Sequence, residues 1–88
     1  MEKIYCVEDD DNIRELVLYA LTSSGYQSQG FAEGAAFWAA VEKSPPDLVL
    51  IDIMLPGESG LELLEKLRKN SDTKKLPVIM LTAKTSEY

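Results

Sequence analysis

Histidine is absent from this 88-residue sequence, and cysteine occurs once. The first absence removes Ser-His-Asp and Cys-His catalysis together with the commonest metal-binding side chain. The second removes internal disulfides and CxxC motifs, which favours a reducing compartment. No apolar run approaches the ~20 residues of a membrane-spanning helix, and the charged start Met1-Glu2-Lys3 is no secretory signal. The expected location is cytoplasmic, with no membrane contact. Positive charge is also scarce: nine Lys and Arg stand against 15 Asp and Glu, a net charge of -6. That balance disfavours direct nucleic-acid contact by this segment. What remains is ordinary for a folded chain, with 45% hydrophobic and 27% charged residues. A fold of this size removes about 60–65% of the unfolded chain's surface from water, so its stability margin is thin.

No repeat, low-complexity tract or linker divides the chain, so residues 1–88 read as a single domain. Ile4-Tyr5-Cys6-Val7 is a strand-forming run that stops at four acids, Glu8-Asp9-Asp10-Asp11. Ile13, Leu16, Val17, Ala20 and Leu21 then form one apolar stripe at helical period. Asp10 or Asp11 can cap that helix, and Gly25 can end it. Tyr26 to Phe31 alternates weakly, as a short edge strand does. Gly34 to Lys43 is a second helix, stopped by Pro45-Pro46. Leu48-Val49-Leu50-Ile51 is a continuous apolar run suited to a strand buried on both faces, ending at Asp52. Pro56-Gly57 marks a loop, and Leu61, Leu64, Leu67 and the flanking Leu63 mark a third helix that frays near Asn70. Leu76 to Thr82 is a fourth strand, with Pro77 tolerable only near its start. Strands alternating with helices through short crossovers give a doubly wound α/β parallel sheet.

Ligands of such sheets bind beyond the carboxyl ends of the strands, where the strand order reverses. The first strand ends at Glu8 and Asp9, the third at Asp52 and the fourth at Thr82. If the order is 2-1-3-4, Glu8, Asp9 and Asp52 converge. Taken alone, four acids before a helix read as capping and dipole complementation. Asp52 shifts the balance, because an unpartnered carboxylate after a buried strand is costly. Three converging carboxylates repel one another and suit a hard, oxygen-preferring cation, Mg²⁺ above all.

Three blocks now resemble one family, the receiver domains of bacterial two-component response regulators. They are Val7-Glu8-Asp9-Asp10 with Ile13-Arg14-Glu15-Leu16, the run from Asp47 to Gly57, and Pro77-Val78-Ile79-Met80-Leu81-Thr82-Ala83-Lys84. The resemblance runs from Lys3 to Lys84 and implies the flavodoxin-like receiver topology. It implies that Asp52 accepts a phosphoryl group from a sensor histidine kinase or phosphotransfer protein. It implies Mg²⁺ bound by Asp9, by Glu8 acting through water, by Asp52 and by the carbonyl of Met54. Thr82 matches the hydroxyl that hydrogen-bonds the phosphoryl group and moves with it, and small Ala83 matches the position that leaves access to Asp52. The similarity is to receivers that precede a DNA-binding output domain. It covers three and a half of the family's five strand–helix units, so residues 1–88 read as an incomplete receiver domain. The lysine and the aromatic switch residue of the fifth strand have no counterpart before Tyr88, and Lys84 is not promoted to that lysine.

The other notable residues read more simply. Cys6 suits a buried inert thiol, Phe37 and Trp38 suit packing, and Tyr5 and Tyr26 suit the sheet. Lys66, Arg68, Lys69, Lys74 and Lys75 suit a solvated helix end favoured by the dipole. A haloacid-dehalogenase-type phosphatase would need an acid where Met54 stands. A flavin-phosphate binder would place N–H groups and hydroxyls where Glu8-Asp9-Asp10-Asp11 would repel a phosphate. The chain is therefore expected to be a phosphoacceptor and no enzyme, beyond self-catalysed phosphorylation and dephosphorylation. The competing expectation is a contact-only interaction module. A homo-oligomer is expected through the exposed fourth strand, which is apolar on both faces and lacks the usual edge defences.

Overall fold

The computed structural model describes residues 2–81; Thr82 and Ala83 lie outside them. Four strands and three helices alternate as expected: β1 (Lys3–Val7), α1 (Asp11–Ser23), β2 (Gln27–Phe31), α2 (Gly34–Lys43), β3 (Leu48–Asp52), α3 (Gly60–Lys69) and β4 (Val78–Leu81). The strands are all parallel, in the order β2-β1-β3-β4. Register pairs Val7 with Ile51 and Asp52 with Leu81, which brings the carboxyl ends of β1, β3 and β4 to one edge.

Local chemistry explains the helix limits. Asp10 caps α1, its carboxylate accepting from the Ile13 amide at 3.0 Å. Gly25, with φ +98°, turns the chain into β2. Ser59 and Glu62 form a reciprocal capping box at the start of α3. At the opposite edge of the sheet, the Lys3 amide donates to the Asp47 carboxylate at 2.8 Å. There the Tyr5 hydroxyl donates to the Ser44 carbonyl at 2.6 Å, tying the α2–β3 turn to β1.

The core lies between the sheet and α2 with α3. Tyr5, Val7, Val49 and Ile51 point into it from the sheet and meet Phe37, Val41, Leu63 and Leu67. Tyr5, Phe31 and Phe37 pack edge-to-face, with ring centroids 5.1–6.4 Å apart. Cys6 is buried, and burial, reinforced by the Glu8 charge, pushes its thiol up to about 11. It is inert as a nucleophile at neutral pH.

The expectation that β3 is buried on both faces needs correction, and α1 and α3 bury less of their apolar stripes than the helical period alone would suggest. No residue of α1 is buried: Val17 and Leu21 are half-buried, while Ile13, Ala20 and Leu16 are exposed, Leu16 at 68%. The helix lies over β2 and β1, close enough that a Cβ on Gly30 would sit 2.9 Å from side-chain carbons of Arg14 and Leu18. Its inward side is therefore turned to Arg14, Val17, Leu18 and Leu21, and one flank of the apolar stripe is left outside. In α3 the buried pair is Leu63 and Leu67; Leu64 is half-buried and Leu61 exposed. In β3 only Val49 and Ile51 are buried among the apolar residues, since Leu48 and Leu50 face the side that α1 covers in part. No helix among the described residues is long and apolar enough to cross a membrane.

Candidate functional site

Glu8, Asp9 and Asp52 meet at the carboxyl edge of the sheet. Each offers a carboxylate oxygen, and these oxygens lie within 4.8 Å of one another. Glu8 and Asp52 are buried, at 5% and 6% exposure, and Asp9 is exposed. The convergence follows from topology: β1 and β3 are neighbours, and each carries its acid just past or at its last residue. Two buried carboxylates beside a third are electrostatically unfavourable as they stand. Burial raises Glu8 above the ordinary carboxylate range; the Asp10 amide, donating to Glu8 Oε2 at 3.1 Å, opposes the rise, and the Asp52 charge adds to it.

The surrounding backbone fixes the two buried acids. The Met54 amide donates to Asp52 Oδ1 at 3.2 Å. Met54 itself is 66% exposed, and its carbonyl accepts no hydrogen bond from the described residues. Arg14 donates to the Glu8 carbonyl at 2.7 Å and to the Asp11 carboxylate at 2.5 Å, which locks the β1–α1 turn. Gly60 starts α3 directly against Asp52. A Cβ there would lie 2.1 Å from the Asp52 carbonyl oxygen, so only glycine fits, and the Gly60 amide donates to the Ile53 carbonyl at 2.9 Å.

The sequence alone gives no role to Gly60, and none to Arg14 beyond its place in the Ile13–Leu16 block. Arg14 was legible as a cation one turn after Asp10 and Asp11. Gly60 was legible only as a glycine just after Ser59, with no sign of what it approaches. The basic residues in the last turn of α3 are partly accounted for: Lys66 pairs with Glu58 at 2.6 Å and Lys69 with Glu65 at 3.4 Å. Arg68 donates instead to the carbonyls of Lys74 and Leu76.

The acidic triad lies beyond the carboxyl ends of neighbouring first and third strands, where doubly wound parallel sheets bind their ligands. Residues 4–88 match the response regulator receiver domain family, and the chain belongs to it. It is 38% identical over 87 residues to the phosphate regulon transcriptional regulatory protein PhoB of Rhizobium meliloti, covering 99% of this chain and 38% of that protein. It is 37% identical over 84 residues to the DNA-binding response regulator MtrA of Mycolicibacterium smegmatis, covering 96% of this chain and 36% of the relative. The chain thus spans well under half the length of these relatives. Among solved structures, it resembles the N-terminal domain of a response regulator receiver protein from Methanoculleus marisnigri JR1. There the TM-score is 0.91 and the identity 34%, over 99% of this chain and 71% of that one. It also resembles the response regulator TrrA of Thermotoga maritima, solved in complex with Mg²⁺ and BeF (TM-score 0.88, 36% identity, 97% of this chain and 72% of that one).

Proposed function

We propose that this receiver accepts a phosphoryl group on Asp52 from a sensor histidine kinase or phosphotransfer protein in the cytoplasm. The observation that carries the reading is the convergence of Glu8, Asp9 and Asp52. An all-oxygen, all-carboxylate donor set crowded enough to raise Glu8 fits a hard divalent cation, and Mg²⁺ is the one we assign. Glu8, Asp9, Asp52 and the carbonyl of Met54, which accepts no hydrogen bond among the described residues, would hold it. When bound, Mg²⁺ neutralises charge on the phosphoryl group.

The chain's own part is positional. The Met54 amide on Oδ1 orients the Asp52 carboxylate. A carboxylate oxygen attacks phosphorus, the P–N bond to the donor histidine breaks, and its electron pair stays on the departing imidazole. Thr82 would hydrogen-bond the transferred group and Ala83 would leave room for it. The modified domain would relay the change to a DNA-binding output domain in a longer protein, itself making no nucleic-acid contact. It is a signalling domain, and its partners include a second copy joined through β4. A contact-only module would have no use for a buried carboxylate aimed at two others, and the cost of that burial disfavours it.

Calorimetric titration with Mg²⁺ should show binding that disappears in the folded Asp9→Asn, Asp52→Asn variant. In the full-length protein, acetyl phosphate with Mg²⁺ should yield an acid-stable, base-labile adduct on Asp52. An adduct that persists in Asp52→Asn would overturn the assignment.

A further inference from the structure

We infer that Arg14 is a positioning residue for the acidic site: its guanidinium fixes the peptide group that joins Glu8 to Asp9, and Gly30 leaves the space its stem needs. The inference rests on the cation site proposed above and adds what holds two of its ligands in place.

The peptide group between Glu8 and Asp9 carries one acid on each side. Because that group is planar, its orientation sets the directions in which both side chains leave the backbone. On the entering side, the Glu8 amide donates to the Phe31 carbonyl at 2.9 Å, which ties the start of the turn to β2. On the leaving side, Arg14 Nη1 donates to the Glu8 carbonyl at 2.7 Å. The other arm of the same fork, Nη2, donates to the Asp11 carboxylate at 2.5 Å. One rigid planar group thus spans the turn from Glu8 to the first residue of α1, with Asp9 and Asp10 between its two contacts.

Exposure shows which contact matters more. The Arg14 side chain is 18% exposed, whereas that of Asp11 is 80% exposed. An ion pair with so exposed a carboxylate is worth little and does not account for drawing a guanidinium out of water. The charge-assisted bond to the partly buried Glu8 carbonyl does. The stem has its own seat. A Cβ on Gly30 would lie 2.9 Å from both Cγ and Cδ of Arg14, mid-chain atoms that cannot swing clear while the head stays bound. Strand β2 therefore holds Glu8 twice, directly through Phe31 and again through Arg14 lying on Gly30. This hold has an opponent: oxygens of Glu8, Asp9 and Asp52 lie within 4.8 Å of one another, and their repulsion would spread an unrestrained turn.

Arg14 is a cation beside three carboxylates, so on charge alone its removal would tighten Mg²⁺ binding. Lost positioning would weaken binding instead. In calorimetric titration of the full-length protein, Arg14→Met, which keeps the apolar stem, should bind Mg²⁺ about tenfold more weakly. Gly30→Ala, which keeps the charge but crowds the stem, should also bind about tenfold more weakly. Asp11→Asn, which spares the Glu8 carbonyl, should change the affinity far less. Urea melts of each variant establish that it is folded under the titration conditions. In the unaltered, metal-free protein, the Arg14 Nη hydrogens should give separate NMR resonances at low temperature, a signature that needs no variant to fold. Averaged resonances, or a folded Arg14→Met that binds Mg²⁺ equally well or more tightly, would overturn the positioning role alone. An unaltered protein that binds no Mg²⁺ would overturn the function proposed above and this role with it.

Discussion

On one side of the sheet Phe37, Leu63 and Leu67 are fully buried against Val7, Val49 and Ile51; on the other, α1 buries no residue and Ile79 stands half in water. Both sides are built from apolar strands and amphipathic helices of similar composition. What separates them is coverage. Among the described residues two helices close the first side, α2 over β2 and β1 and α3 through Leu63 and Leu67 in one cluster with Ile51, whereas one helix, α1 over β2 and β1, shelters the second. Apolar periodicity marks which residues can be buried, and the number of helices per face decides which of them are.

The sharpest way to break this contrast is truncation on each side. Phe37→Ala should cost about 3–5 kcal/mol and leave the chain largely unfolded, while Leu16→Ala should change stability by no more than about 0.5 kcal/mol. Urea melts followed by circular dichroism measure both. Comparable losses would show that α1 is as firmly packed as α2. Next in size is Gly60→Ala, which must push α3 away from the Asp52 carbonyl and should cost about 1–3 kcal/mol. The same variant should lose Mg²⁺ affinity in calorimetry, whereas Gly57→Ala, where a Cβ has open space but φ is +78°, should cost about 1 kcal/mol and leave the metal site intact.

A smaller effect tests α1 by itself. Asp10→Ala removes the cap on Ile13 and should cost about 1 kcal/mol, seen as a lowered urea midpoint at unchanged slope. The smallest concerns pH. Glu8 is raised in the folded state, so the native chain holds its proton to higher pH than the unfolded one. Its contribution is therefore fully present below the unfolded value near 4.3 and is lost as pH rises through the raised value. Without divalent cation, the unaltered chain should lose stability relative to Glu8→Gln as pH rises from about 4 toward neutrality. Saturating Mg²⁺ should abolish or reverse that trend. A flat difference across the range would show that Glu8 is not pressed by burial and its neighbour.

Much of this was legible in the residues. Element order followed from the switch between continuous apolar runs and helical stripes, and several boundaries had a cap, a glycine or a proline to mark them. Strand order entered only as a condition, and it is the pairing of β1 with β3 that brings Glu8 and Asp9 to Asp52. Rotation of the helices about their axes was not legible. Leu61 and Leu63 are equally apolar, and only the placement of Gly60 against Asp52 selects the side of α3 that faces the core. Likewise Leu16 and Leu18 differ in exposure because Gly30 admits Arg14 and Leu18, a fact of tertiary approach that no local pattern contains.

The contact between Gly60 and Asp52 also bears on how a change at one aspartate could be felt elsewhere. Side chains between two elements act as cushions, since their rotamers absorb small displacements. Here none intervenes, and the amide of Gly60 is tied to the very next carbonyl after Asp52, that of Ile53. Strand end and helix start therefore form one stiff joint. A shift of the Asp52 backbone becomes a tilt of α3, and a tilt is amplified with distance along the ten-residue rod to its far end at Lys69.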